Sequence, residues 1–312
     1  MFEALIAEVF RPIKRVAPSE WAEQAIVLTP EETNQPGPWR NANAPYVKTI
    51  LDDFADPEIE TIVVLKGTQL AGSQMTRIML AWGAVFRPRP ALIVMPTEQS
   101  ATEVVKDRLR PMFLATPALE QKLRSGRRRG ITKHAIRMRD SAIYVGWAGS
   151  AQALASKPVG DVILDEIDKY PPKVYEEAPP WKLAQERTKT YSRVGRKMVF
   201  VSSPTTKQGR IYIEHQQCKV KKQFFVPCPH CGTAQPLEWE FVRWPEGVDE
   251  DSVRANKSAW VDCRECGGRI EERHKAASVQ AGEWVTVEGA GVKSKRVGYQ
   301  INSLYSMQLM FS

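Results

Sequence analysis

Three groups of residues in this sequence have types and spacings that could do chemistry. The first is VILDE, where an apolar run ends in Asp165 and Glu166. A buried strand delivers a carboxylate rigidly to the edge of a sheet. Adjacent acids there can hold a divalent cation and polarise an attacking water, the division of labour seen in P-loop phosphoryl transfer. Strand alternation predicts that the two carboxylates point to opposite sides. The plain structural reading is two acids opening a surface loop.

The second group is KGTQLAGS: Lys66, Gly67, Thr68, Gln69, Leu70, Ala71, Gly72 and Ser73. It follows a short β-branched run, ETIVVLK, and precedes a helical pattern. Small residues between a strand and a helix let backbone N–H groups curl around phosphate, and the helix dipole favours the anion. Ser73 offers a hydroxyl for Mg²⁺. The order differs from GxxxxGK[ST], because Gly72 rather than lysine precedes Ser73. Lys66, at the front, is the lysine that could reach the β- and γ-phosphates, and Gln69 could face the γ-phosphate. A plain strand-to-helix turn is the competing reading. Ser202, Ser203 and Thr205, in VFVSSPTT, end another strand and could sense loss of the γ-phosphate. Turn chemistry alone also explains them. Ser150 and Ser156 read as loop residues.

The third group is CPHCG and CRECG. Each CxxC brings two thiolates to one tetrahedral metal, and a glycine after the second cysteine permits the tight turn. Cys228, Cys231, Cys263 and Cys266 predict a closed, structural Zn²⁺ site. His230 reads as a surface residue inside its knuckle, and Cys218 as a free thiol.

These groups need elements to hold them. Runs at 60–66, 91–96, 142–148, 161–166 and 197–204 read as buried strands, and 73–86 and 98–113 as helices. Alternation of this kind predicts an α/β fold, a mainly parallel sheet covered by helices, with ligands at the strands' carboxyl ends. The expected division is a helical arm and lead-in over 1–45, a P-loop-like domain over 46–222, a zinc ribbon over 223–275 and a final segment of the ATPase region over 276–312.

The chain has 312 residues, 43% hydrophobic and 26% charged, enough for a substantial core. Its formal net charge is +8. Residues 122–139 hold eight Lys or Arg and no acid, and Arg187, Lys189, Arg193, Arg196 and Lys197 form a second basic run. Such runs suit a polyanion partner, or are solvated faces. No apolar stretch reaches the ~20 residues a membrane helix needs, and the first residues lack a signal peptide's pattern. The expectation is a cytoplasmic protein with no membrane partner and no disulfide framework.

Together these residues resemble the lambda-type (gpA-type) large subunit of phage terminase. SEWAEQ with Trp21, PGPWR, Pro45-Tyr46, KGTQLAGS, VMPTEQSA, Arg108, GSAQALASKPVGDVILDEIDKYP, SSPT, CPHCG and GYQINSLYS run in the family's order over almost the whole chain. The resemblance implies a RecA-type ATPase that uses ATP with Mg²⁺ to thread double-stranded DNA into a procapsid. By position it makes residues 66–73 the Walker A segment, Asp165 and Glu166 the Walker B acids, and residues 202–205 the coupling motif. Trp39, Arg40 and Tyr46 become candidates for the adenine end. The implied partners are double-stranded DNA, a terminase small subunit, the portal and further copies of the chain. Two departures stand out. The family usually has glycine where Ala71 stands, and it continues past LYS into a metal-dependent nuclease. From this sequence, DNA cleavage is therefore not expected. Rival readings are an inactive remnant, a DNA- or partner-binding module, and a helicase-like DNA-dependent ATPase.

Overall fold

The computed structural model describes residues 16–33, 35–126, 130–155, 157–174 and 178–311. Part of the expected N-terminal arm (1–15), three arginines of the first basic run (127–129) and Ser156 lie outside them. The helix Pro18–Ala25 precedes a strand pair, β1 (Val27–Leu28) and β2 (Gly37–Pro38), and the helix Val47–Ala55. Then come β3 (Thr61–Lys66), the helix Gly72–Phe86 and β4 (Ala91–Met95). A hairpin of β5 (Ile131–Thr132) and β6 (Ala135–Arg137) runs into β7 (Ala142–Trp147). β8 (Asp161–Asp165), β9 (Lys197–Ser202) and β10 (Val220–Pro227) follow, with the helices Pro180–Glu186 and Arg210–Gln216 between them. The cysteine module contains β11 (Ala234–Gln235), β12 (Val242–Arg243), the helix Glu250–Asn256, β13 (Trp260–Asp262) and β14 (Arg269–Glu271). After the helix Glu272–Gln280, β15 (Glu283–Glu288) and β16 (Arg296–Ile301) complete the order.

The main sheet runs β11-β10-β16-β3-β9-β8-β4-β7-β6-β5, with β15 also paired to β10. From β10 to β7 every pairing is parallel. Strands β3, β8 and β9 are buried at every residue. Strands covered on both faces read as unbroken apolar runs for this reason. Side-chain alternation splits them between two cores. Ile62 and Val64 join the core holding Met75, Ile78 and Met79 of the helix Gly72–Phe86. Val63 and Leu65 face the other, with Leu164, Phe200 and Ile211. The helix-covered, mainly parallel α/β sheet is the fold the sequence predicted.

The N-terminal segment is part of the first core. Trp21 packs edge-on against Phe86, with ring centroids 5.8 Å apart, and Trp82 Nε1 donates to Val16 O at 2.9 Å. The helix Gly72–Phe86 is thus sandwiched, and its residues from Gln74 to Ala84 are all buried.

Three features differ from the sequence reading. The main sheet continues into the span expected as ribbon: β10 extends to Pro227, and β16 returns to lie parallel between β10 and β3. Val297, Tyr299 and Ile301 are buried at alternate positions, but Gly298 and Gln300 break any apolar run. The helix expected over 98–113 contains a π turn, Val104–Leu109. Pro111 has no N–H for the carbonyl of Asp107, and Arg110 N donates instead to Val105 O. The second basic run is largely structural. Lys197 is buried and donates to Asp56 O and Ile59 O, Arg196 pairs with Glu60, and Arg187 Nη1 donates to Ala155 O at 2.7 Å. Burial brings the Lys197 ammonium down to about 8. Among the described residues, no helix is long and apolar enough to cross a membrane.

Candidate active site and metal centre

Strand order positions the candidate site. β3, β9 and β8 are neighbours, with Leu65 level with Ser202 and Asp165 level with Val201. Their carboxyl ends therefore bring Lys66, Ser203 and the acid pair to one place, although the chain separates them widely. Lys66 Nζ lies 3.2 Å from Glu166 Oε1 and 3.4 Å from Ser203 Oγ. The acids do not sit as simple strand alternation predicts. Asp165 ends β8, but Glu166 is left-handed (φ 55°), which breaks the alternation and lets its carboxylate meet Lys66. Lys169 also approaches Glu166, at 3.3 Å.

Asp165 is 1% exposed. Burial raises its carboxyl above the ordinary range, and the neighbouring Glu166 adds to this; Lys66, a hydrogen bond from Ser73 and Arg77 oppose it. Its Oδ1 has no hydrogen-bond partner. A buried carboxylate oxygen without a partner is costly unless a ligand or cation completes it. Together with the Ser73 hydroxyl it fits the oxygen donor set that Mg²⁺ prefers.

A cavity of about 1330 Å³ opens beside these groups. Lys66 and residues 69–73 line it, whereas Gly67 and Thr68 face a neighbouring cavity of about 410 Å³. Gly72 makes room for the lysine: a Cβ there would lie 2.6 Å from Lys66 Cδ. The front position of the lysine and the glycine before Ser73 are therefore one arrangement. Leu70 contributes its side chain to the core. Gln69 and Ala71 are both left-handed, with φ of 55° and 53°.

The far wall of the cavity was not foreseen. Glu32, Gln74 and Arg77 line it, each with a buried side-chain atom lacking a partner. Burial lowers the Arg77 guanidinium to about 10 and raises the Glu32 carboxyl. Arg108, delivered by the π turn, also lines the cavity and donates to Glu31 O at 2.6 Å. Of the adenine-end candidates, Trp39 and Arg40 line the cavity. Tyr46 does not. It is 3% exposed and packs edge-on against Phe224, so its ring belongs to the core.

Of the coupling residues, only Ser203 reaches Lys66. Ser202 is buried, and its Oγ accepts from Asp168 N at 3.3 Å. Thr205 donates through N and Oγ1 to Asp168 Oδ2, at 2.9 and 3.0 Å. Asp168, three positions beyond Asp165, thus ties the acid-bearing strand to the serine strand. Ser150 serves its loop, accepting from Ala153 N at 3.1 Å.

The four knuckle cysteines offer sulfur atoms all within 4.8 Å of one another. Cys228 Sγ lies 3.9 Å from Cys266 Sγ, and Cys231 Sγ 3.7 Å from Cys263 Sγ. Tetrahedral Zn–S bonds of ~2.3 Å require S–S separations of ~3.8 Å, so the cluster fits that ion. The knuckles match each other: Gly232 N donates to Cys228 O, and Gly267 N to Cys263 O, with both glycines left-handed. His230 is exposed and bonds through Nε2 to Arg269 O, and Cys218 is buried apart from the cluster.

The sequence profile described as "Phage terminase large subunit gpA, ATPase domain" matches residues 33–284. The chain belongs to this family. It is 27% identical over 271 residues to the terminase large subunit of Enterobacteria phage P21, and 25% identical over 248 residues to that of Escherichia phage lambda. These alignments cover 85% and 78% of this chain, but 41% and 38% of the relatives. The chain thus spans well under half the length of the terminases it matches. Among solved structures, the ATPase domain of the Thermus phage P74-26 large terminase aligns with 13% identity and a TM-score of 0.40, covering 77% of this chain and 75% of that one.

Proposed function

We propose that this chain is the ATP-hydrolysing part of a viral DNA-packaging motor. The observation that carries the reading is the meeting of Glu166 and Ser203 on Lys66 at the strands' carboxyl ends, where Lys66 and the buried Asp165 line one cavity. Lys66 would bind the β- and γ-phosphates, releasing Glu166, which would then orient and deprotonate the attacking water. The amides of residues 69–73 and the helix N-terminus would hold the phosphates. Asp165 and Ser73 would hold Mg²⁺, which supplies charge neutralisation on the phosphates. Ser203, in contact with Lys66, would register loss of the γ-phosphate. Trp39 and Arg40 would meet the nucleoside end.

The four cysteines would hold one Zn²⁺ with no open position, making its role structural. Double-stranded DNA, a small subunit, a portal and further copies of the chain are the partners proposed from the family. The division into a lead-in over 1–45, an ATPase core over 46–222, a ribbon over 223–275 and a closing ATPase segment over 276–312 remains our proposed organisation.

Glu166→Gln tests the assignment. It keeps shape while removing the base, so ATP affinity should stay within about threefold while turnover falls at least ~100-fold. Normal hydrolysis by this variant would remove Glu166 from the reaction.

A further inference from the structure

Residues 302–306, directly after β16, are accounted for by neither the acid pair nor the cysteines. On one side this turn grips the loop. Beyond the Gly67 N bond to Ile301 O at the end of β16 (2.8 Å), Thr68 N donates to Ser303 Oγ at 3.0 Å, and Ser306 Oγ donates to Gln69 O at 2.8 Å. The approach is very close: a Cβ on Gly67 would lie 2.5 Å from Ser303 N. Glycine at 67 therefore serves the turn.

On its other side the turn holds the cysteine module. Tyr305, 2% exposed, donates its hydroxyl to Phe224 O and accepts from Leu237 N at 2.6 Å. Asn302 Nδ2 donates to Leu237 O at 2.7 Å. Both backbone polar groups of Leu237 are thus held by the turn. Two residues earlier, Gln235 Oε1 accepts from Arg264 N at 2.9 Å, inside the second knuckle. A short, mainly hydrogen-bonded path therefore runs from residues 67–69 through 302–306, Leu237 and Gln235 to the knuckle.

We propose that residues 302–306 position the phosphate loop and carry its state to the cysteine module. The proposal rests on reading residues 66–73 as a phosphate loop. Two non-glycine residues in that loop, Gln69 and Ala71, are left-handed. Such conformations are costly and persist only where the surroundings hold them. The bond from Ser306 falls on Gln69 itself, and that from Ser303 on the residue before it. A ligand that moves the loop must move these bonds, and Leu237 lies at their other end. The smaller cavity, bordered by Thr68, Trp239 and Ser303, leaves the turn space to shift. Ser303 and Ser306 are the positioning residues in this scheme, and Tyr305 only links the turn to Leu237.

Amide hydrogen exchange on the zinc-replete chain, with and without a non-hydrolysable ATP analogue and Mg²⁺, tests both halves. Without nucleotide, Ser303→Ala should raise exchange at residues 67–71 about tenfold. It should also weaken analogue binding about five- to tenfold, raising KM for ATP more than it lowers kcat. In the unmodified chain the analogue should slow exchange at 235–241 and 263–267. Tyr305→Phe should abolish that distant slowing while analogue affinity stays within about twofold. If Ser303→Ala fails to fold, Ser306→Ala, which removes only the bond to Gln69 O, is read in the same way. Unchanged loop exchange in Ser303→Ala overturns the positioning role. Analogue binding with no response at 235–241 overturns the transmission. If the unmodified chain binds no analogue, the phosphate-site reading and transmission fall together, and exchange without nucleotide still decides whether the turn shapes the loop.

Discussion

At the scale of single residues, Ala71 and His215 make contrasting claims. Ala71 caps the helix Gly72–Phe86 in the left-handed region, where a Cβ meets the following carbonyl. A glycine there has no such cost. Ala71→Gly should therefore stabilise the chain by up to about 1 kcal/mol, reduced by glycine's greater freedom in the unfolded state. Urea titration reads the change, and a loss of stability would show that the alanine methyl contributes packing that outweighs its strain. His215 is 2% exposed beneath β16, with neither ring nitrogen hydrogen-bonded. Burial, aided by Lys221, holds it down to about 4. Its unfolded value is ~6.5. The neutral ring's contribution is complete above pH 6.5 and is lost as the unfolded chain takes up a proton between about 6.5 and 4. That loss is on the order of 3 kcal/mol. His215→Phe should flatten the fall in stability between pH 7.5 and 5. An unchanged slope would move the acid sensitivity to other groups.

At the scale of elements, the zinc proposed for the cysteine module predicts that this piece depends most on something other than packing. Its strands β12, β13 and β14 are two or three residues long. Val253, Val261 and Ile270 nevertheless join the main core. Chelation should therefore raise exchange over 228–271 first, with β3, β8 and β9 responding little. Uniform loosening of both regions, or zinc-free protein with an ordered module, would contradict this. The same contrast explains what was legible in the sequence. Buried central strands announce themselves as apolar runs, and CxxC pairs by spacing. β16 did not, because Gly298 must be small to pass His215, with a Cβ there 2.9 Å from the ring, and Gln300 faces outward. The turn beyond it shows no local pattern, since its role depends on contacts more than 230 residues away in sequence, such as Ser303 with Thr68. Tyr46 became an adenine-end candidate only through the resemblance, and its burial against Phe224 makes it core.

At the scale of the whole molecule, charge is segregated along the sheet. Residues 228–280 hold ten Asp or Glu against seven Lys or Arg, a net −3 that leaves +11 on the rest of the chain. This acidic module adjoins β10 and contains β11, at one end of the strand order, whereas the basic segment 122–139 includes the β5–β6 hairpin at the other. A cysteine module of this kind invites the assumption of DNA contact, but here the electrostatics oppose it. Exposed Trp239 and Trp244 add apolar surface, while Glu246, Glu250 and Asp251, close by in sequence, are exposed acids. If the chain meets duplex DNA as proposed, the charge distribution predicts contact at the hairpin edge, where Arg124 and Arg139 are exposed. Each phosphate contact contributes about 0.9 to the slope of log affinity against log salt. Replacing Arg124 and Arg139 together with Gln should weaken duplex binding and reduce that slope by up to about 2. Replacing Arg254 and Arg273 with Gln removes the same charge from the module, where each arginine already faces an acid. That pair should leave both affinity and slope unchanged. Fluorescence anisotropy across a salt series separates the two, and equal losses from both pairs would place DNA against the module despite its charge.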